Sequence, residues 1–309
     1  SNADLLKQAF YAQYQLGNID AAAALAREME LLNIASRFAS EPATAQAILM
    51  EDWDAVLVLS DMIAEDIDAR PVAAIIRAWA LVAKGQGPAG LSHLIQSRNA
   101  NITGNKSAPA IFTMQAARVA DYLGHTDEML KLADQLFDRN DLSSQLLLQL
   151  ASLYARHNKN IKVAQLIAQL PNGFDKLRTR EVLSHQTTPP KITNHIAAGI
   201  IDTSLTANQS KNDSMLKARL GLALYLNPQS ERARFLIAQA LSEINQTQSA
   251  KEQLASINSA GVWGQPRLLL EVDIDRSDNI GLAITRLQSF LDKDRKNAFL
   301  QKELGDLYR

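Results

Sequence analysis

The chain has 309 residues, 47% of them hydrophobic, and only 13 Gly and 9 Pro, too few turn-forming residues for a loop-rich or β-rich fold. Its 32 basic and 33 acidic residues give a formal net charge of −1 with no long run of either sign, so the electrostatic footprint of a nucleic-acid or anionic-membrane binder is absent. Cysteine is missing, which excludes disulfides, thiol catalysis and cysteine metal sites, and no apolar run approaches the roughly 20 residues that span a bilayer.

Ser1-Asn2-Ala3 reads as the remnant of a cleaved tag and is set aside. Units with two helical patterns each then start near Ala3, Arg37, Pro71, Ala110, Ser144, Ala197, Glu231, Gly264 and Ala298, in steps of 34, 34, 39, 34, 53, 34, 33 and 34 residues. In the first unit the helices meet at Gly17-Asn18. In the second they meet at Glu51-Asp52-Trp53-Asp54, three carboxylates beside a tryptophan that could mark a metal or acid-base pair, but capping of the following helix by an acidic residue accounts for them. In the third they meet at Lys84-Gly85-Gln86-Gly87, a Gly-rich turn with no preceding strand and therefore no phosphate cradle. The step of 39 places about five extra residues in the turn-forming stretch 99–107. Leu123-Gly124-His125 and Asn158-Lys159-Asn160 are the turns of the fourth and fifth units, and like those of the first and third they hold residues tolerant of positive φ. The step of 53 places about 19 extra residues in 171–194, where Pro189-Pro190 forbids a continuous helix. The expected organisation is five helix pairs over residues 4–170, an irregular insertion over 171–194, and three pairs with a truncated helix over 195–309. Tyr225-Leu226-Asn227-Pro228 closes the sixth pair.

The period is sharpest near the end. Arg234 to Ala238 corresponds to Arg267 to Glu271, and Ala250 to Ala283, both at 33 residues, while Leu304-Gly305-Asp306-Leu307-Tyr308 begins 34 after Leu270. A period of 33 to 34 with two helices per unit and a Leu-Gly-x-x-Tyr run resembles the tetratricopeptide family. Small residues at the eighth position (Ala78, Ala117, Ala151, Ser204, Ala238, Gly305) and the twentieth (Ala22, Gly90, Ala250, Ala283) match the family's helix–helix contacts, whereas Phe10, Thr44 and Glu271 at the eighth and Val56, Met129, Val163 and Leu216 at the twentieth depart from them.

The resemblance implies an all-α, right-handed α-α superhelix of about eight pairs plus a terminal half pair. It also implies a concave groove lined by the first helix of each pair. Projected onto this chain, the groove presents Tyr11, Tyr14, Phe38, Val72, Ile75, Trp79, Met114 and Arg118 in the first half, and Arg232, Phe235 and Gln239 in the second. The apolar half suits an extended or amphipathic helical segment of a protein partner, with Tyr11, Tyr14 and Trp79 as anchors. The same side chains could instead pack on neighbouring helices, because a one-residue register error exchanges wall and core. A carboxylate clamp is not expected, since Lys7 is followed by Tyr11 and Lys302 by Asp306.

Chemistry is not signalled elsewhere. His93, His125, His157, His185 and His195 lack metal-ligand spacing, and neither a nucleophile elbow nor a phosphate-binding motif occurs, so the expectation is a non-enzyme without cofactor or metal. The expected role is a protein-interaction scaffold. Such arrays in bacteria often serve envelope assemblies, so exported or envelope placement is favoured by resemblance alone. The alternative is a helical docking module of a larger enzyme. The uncapped ends suggest a segment of a longer array, with self-association through the exposed end faces.

Overall fold

The computed structural model describes residues 2–36, 38–100, 108–185, 190–207, 213–292, 295 and 297–309. Among these residues there are eighteen helices and no strand. The expected start at Arg37 and most of the 99–107 turn lie outside the described residues.

Neighbouring helices pack in pairs. α1 (Asn2–Gln15) lies against α2 (Ile19–Leu31), α3 (Ser40–Leu49) against α4 (Trp53–Ala64), α5 (Arg70–Ala83) against α6 (Gly87–Asn99), and α7 (Ala108–Tyr122) against α8 (Thr126–Phe137). There follow α9 (Ser144–Arg156), α10 (Asn160–Ala168), α11 (Lys176–Ser184), α12 (Ile192–Ala207) and α13 (Asp213–Leu226). The chain continues through α14 (Glu231–Glu243), α15 (Thr247–Ala255), α16 (Gly264–Asp278), α17 (Ile280–Leu291) and α18 (Ala298–Leu307). Four of these, α9, α14, α16 and α18, begin at the unit starts read from the sequence: Ser144, Glu231, Gly264 and Ala298.

A left-handed residue ends the first helix of several pairs, freeing the chain to reverse while its N–H closes on the preceding turn. It is Gly17, Glu51, Gly85, Gly124 and Asn158 in the first five pairs, with φ between 57° and 77°, and these positions recur at 34, 34, 39 and 34 residues. Glycine is natural at φ of +77° or so, whereas Glu51 holds φ of 57° against the crowding of its Cβ. Asp52 then caps α4, its carboxylate accepting from the Ala55 N–H at 3.1 Å. Where the pair α5/α6 closes, a Cβ built on Gly90 would sit 2.5 Å from the Ala78 carbonyl oxygen, so the close approach needs glycine at this position. Ala78, Ala117, Ala151, Ser204 and Ala238 are all buried, in keeping with the demand for small side chains there. Gly305 differs, because a Cβ on it would meet nothing within 4 Å.

Two compact units emerge, each with its own core: Ser1–Leu146 with Thr188–Ala233, and Leu147–Thr187 with Arg234–Arg309. In the first unit the pairs are joined in sequence through α2 on α3, α4 on α5 and α6 on α7, and α12 and α13 return to the same body. In the second, Leu268, Val272, Ala283, Leu287, Leu291, Leu300 and Leu307 form an apolar cluster across α16, α17 and α18. There the 171–194 stretch, read as irregular, contains α11, because Asp175 caps it by accepting from the Arg178 N–H at 2.9 Å. Arg178 Nε donates to the Ala260 carbonyl at 2.7 Å and Gln265 Nε2 to the Asn172 carbonyl at 2.9 Å, fastening the segment to the turn before α16. Phe174 and Phe235 both meet Trp263, at centroid distances of 5.7 and 5.1 Å.

Candidate functional site

The first helices of the four N-terminal pairs form one face in the first unit, and it is covered. α12 lies on α5 and α7, and α13 lies on α1, α2 and α3, so the α12–α13 hairpin runs across α1, α3, α5 and α7 together. α5 contributes to this: Pro71 to Ile76, Ala78 to Ala80 and Val82 are buried, with Arg77, paired with Asp61, on its polar edge, so its apolar surface extends beyond what α4 and α6 cover and α12 shelters the rest.

At the α12 end, Trp79 is fully buried and stacks on His195 at 4.3 Å with 6° between the rings. Its indole N–H donates to Gln115 Oε1 at 3.0 Å, which satisfies the donor that burial would otherwise strand. Tyr122 stands edge-on to both rings. One turn along α12, a Cβ on Gly199 would lie 2.6 Å from Ile75 Cγ2, so the helix descends onto α5 where it carries no side chain.

At the α13 end, charge is buried. Arg219 Nη2 donates to Glu41 Oε1 at 2.9 Å, Arg219 Nε reaches both carboxylate oxygens at 3.3 Å, and the Tyr14 hydroxyl donates to Glu41 Oε2. Tyr14, Glu41 and Arg219 are at most 4% exposed. Burial, reinforced by the Glu41 charge, pushes the Tyr14 hydroxyl well above its ordinary pKa. Burial alone would lower the Arg219 guanidinium, but Glu41 beside it reverses that and holds it above its ordinary value. Gly221 passes over Gly17 closely enough that a Cβ on Gly221 would be 2.8 Å from the Gly17 Cα. Tyr225, at the end of α13, donates to Asp20 at 2.6 Å, and Gln46 donates to the same oxygen at 2.8 Å. Burial and then that bond push the Tyr225 phenol up to about 12, while the two donors hold the Asp20 carboxyl below its usual range. Asp202 of α12 pairs with Arg232, the second residue of α14, at 2.7 Å.

The residues projected as groove wall divide accordingly. Tyr14, Val72, Ile75, Trp79 and Met114 are buried in the first unit, on helices that carry α12 and α13. Tyr11 and Phe38 are half-buried and meet edge-on at 6.4 Å. Arg118 is half-buried on α7, and Arg232 is engaged with Asp202. Phe235 and Gln239 belong to the second unit, Phe235 against Trp263 and Gln239 exposed beside Glu243 at 3.5 Å. Sequence reasoning did not single out Glu41, Gln115 or Arg219, and read His195 only as one of five histidines without metal-ligand spacing. The available signal was the broad apolar run Pro71 to Ile76 of α5, wider than one stripe, and the polar residues Thr113, Gln115 and Asp121 set among the buried positions of α7.

The second unit holds a different constellation. Arg286 bonds Glu271 at 2.7 Å and Asp275 at 2.8 Å, Arg267 bonds Glu271 at 2.9 Å, and Lys251 pairs with Asp275 at 2.8 Å. Arg267, Glu271 and Arg286 line an open pocket of about 430 Å³ with Leu268, Leu282 and Phe290. The ion pairs tie α15, α16 and α17 together. Among the described residues, no group of three His, Asp or Glu could hold a metal ion, and no helix is long and apolar enough to cross a membrane. Compared with known proteins, the sequence matches no family model and no curated protein.

Proposed function

We propose that the chain is a tetratricopeptide-like solenoid acting as a non-catalytic protein-interaction scaffold whose first-helix face receives a helical segment. One observation carries this reading: the face built by α1, α3, α5 and α7 already holds two helices of the chain itself, seated by ring stacking, a buried ion pair and glycine contacts. A surface that seats a helical hairpin has the shape, apolar area and polar anchors that a partner's helix needs. The recurrence of the left-handed turn residue at 34, 34, 39 and 34 residues supports the repeat architecture, since one supersecondary unit repeated at that interval is what stacks into such an array.

The test is photo-crosslinking in the source cells from benzoylphenylalanine placed at Tyr11 or Phe38, the half-buried aromatic rim of this face, with Val58 on α4 as control. A partner protein trapped from Tyr11 and Phe38 and not from Val58 supports the scaffold. Equal trapping from all three positions, or none from the rim, defeats it.

A further inference from the structure

The α12–α13 hairpin is held to the first unit by a surface unlike the rest of that unit's core. Second helices α2, α4, α6 and α8 bury apolar side chains, with only Ser60 and Ser97 as buried polar residues among them. The hairpin and the helices beneath it instead bury Glu41, Arg219, Asp202, His195, Gln115, Thr203 and Ser204. Surfaces between separable bodies are more polar than cores. A buried ion pair adds specificity for one seating while contributing little net stability, because desolvation offsets most of the attraction. The contacts that order the pairs among themselves, α2 on α3, α4 on α5 and α6 on α7, do not involve the hairpin. Lifting the hairpin therefore uncovers the face and leaves the ladder of pairs standing, as local opening does in arrays stabilised by nearest neighbours.

We propose that α12–α13 is a detachable occupant in cis, with α13 standing in for a partner helix that presents a guanidinium to Glu41 and a glycine-sized residue over Gly17. This rests on the helix-receiving reading above. The closed chain then binds that partner in proportion to the fraction of time the hairpin is away, so loosening the hairpin raises apparent affinity without altering the face.

Hydrogen exchange of the full chain tests release. In the unaltered protein, amides of α12 and α13 should exchange at least tenfold faster than those of α5 to α8. Glu41→Gln, which leaves Arg219 buried without its counter-charge, should accelerate α12 and α13 a further tenfold or more while leaving α4, α6 and α8 unchanged. The combination Glu41→Leu, Arg219→Met and Tyr14→Phe, which removes the ion pair together with the hydroxyl bonded to it, should return the hairpin to the slow rate, which separates latch loss from misfolding. If α12 and α13 exchange no faster than α5 to α8, or if Glu41→Gln accelerates the whole unit equally, the hairpin is ordinary core and the proposal falls.

The partner chemistry is tested with a labelled peptide of residues 213–227. It should bind Gly199→Leu, in which the new side chain meets Ile75 and lifts α12, at least tenfold more tightly than it binds the unaltered chain. The same peptide carrying Arg219→Gln should lose at least tenfold. Release without peptide binding would overturn the partner chemistry and the helix-receiving reading while leaving the detachable hairpin. Peptide binding without release would overturn the detachable hairpin alone.

Discussion

Replacing Trp79 with Ala separates an enclosed side chain from one available to a partner. The indole is fully buried, stacked on His195 and bonded to Gln115. Truncating a buried Trp costs about 3–5 kcal/mol through lost transfer energy and the cavity left behind, and stranding the Gln115 oxygen adds about 1–3 kcal/mol. A loss of about 4 kcal/mol or more is expected in the first unit. Because the protein has two compact units, a single melting midpoint is not a clean measure, so the assay is native-state hydrogen exchange read at the amides of α5 and α7. At about 1.4 kcal/mol per decade, those amides should exchange roughly 10³-fold faster, and amides of α16 and α17 should not change. Trp79→Phe keeps most of the ring and loses only the N–H bond, so it should lose less than half as much. Acceleration below tenfold in Trp79→Ala would show that the indole is not enclosed, and the account of α12 as the cover of α5 would fail with it.

Four further expectations follow from single residues. Glu51→Gly should raise stability by about 0.5–1 kcal/mol by relieving the left-handed strain at φ of 57°, less the entropy that glycine adds to the unfolded chain; a destabilised variant in thermal melts would contradict this. Gly90→Ala should cost about 1–3 kcal/mol, because its Cβ would sit 2.5 Å from the rigid Ala78 carbonyl oxygen, and a neutral result would place α6 farther from α5. Burial, with Arg77 nearby, holds the His93 imidazole below its ordinary 6.5. The unfolded chain therefore takes up a proton there before the folded chain does, stability falls as pH drops below 6.5, and melts of His93→Gln between pH 7.5 and 5 should lose that part of the slope. Phenolate absorbance should show Tyr14 and Tyr225 ionising above the ordinary phenol value of 10, and Tyr225→Phe should remove a step near pH 12; a Tyr225→Phe profile that keeps that step would refute its assignment, and a Tyr14→Phe profile that loses its absorbance change near 10 would refute that of Tyr14.

The features legible in the sequence are those that depend on neighbours in the chain. Ser144, Glu231, Gly264 and Ala298 start helices because a period of 33 to 34 needs only local pattern, and the turn residues Gly17, Gly85, Gly124 and Asn158 show the positive φ their types allow. Helix α11 was hidden inside 171–194 because a repeat register has no place for it, although Asp175 three residues before Arg178 is an ordinary capping arrangement. The covering of Trp79, Ile75 and Tyr14 was hidden for a stronger reason. Glu41 meets Arg219 across 178 residues, and no local spacing encodes a pairing that distant. What the sequence did contain was apolar surface on α5 broader than one stripe, Pro71 to Ile76 with Ala78 to Ala80, where the projection of wall positions assigned to a partner-facing groove what α12 covers within the chain.

The long return of the hairpin also sets an order of events during translation. Tyr122, the last residue of α7, leaves the ribosome about a hundred residues ahead of Leu226, the last residue of α13. At a synthesis rate of about 5–20 residues per second, that gap lasts on the order of ten seconds. Throughout it Trp79, Ile75 and Tyr14 exist without the helices that later shelter them. A nascent chain of this protein is therefore stickier than the finished one. Chaperones that recognise apolar helical surface should engage the polypeptide between these two points of elongation and let go once Arg219 has emerged to meet Glu41.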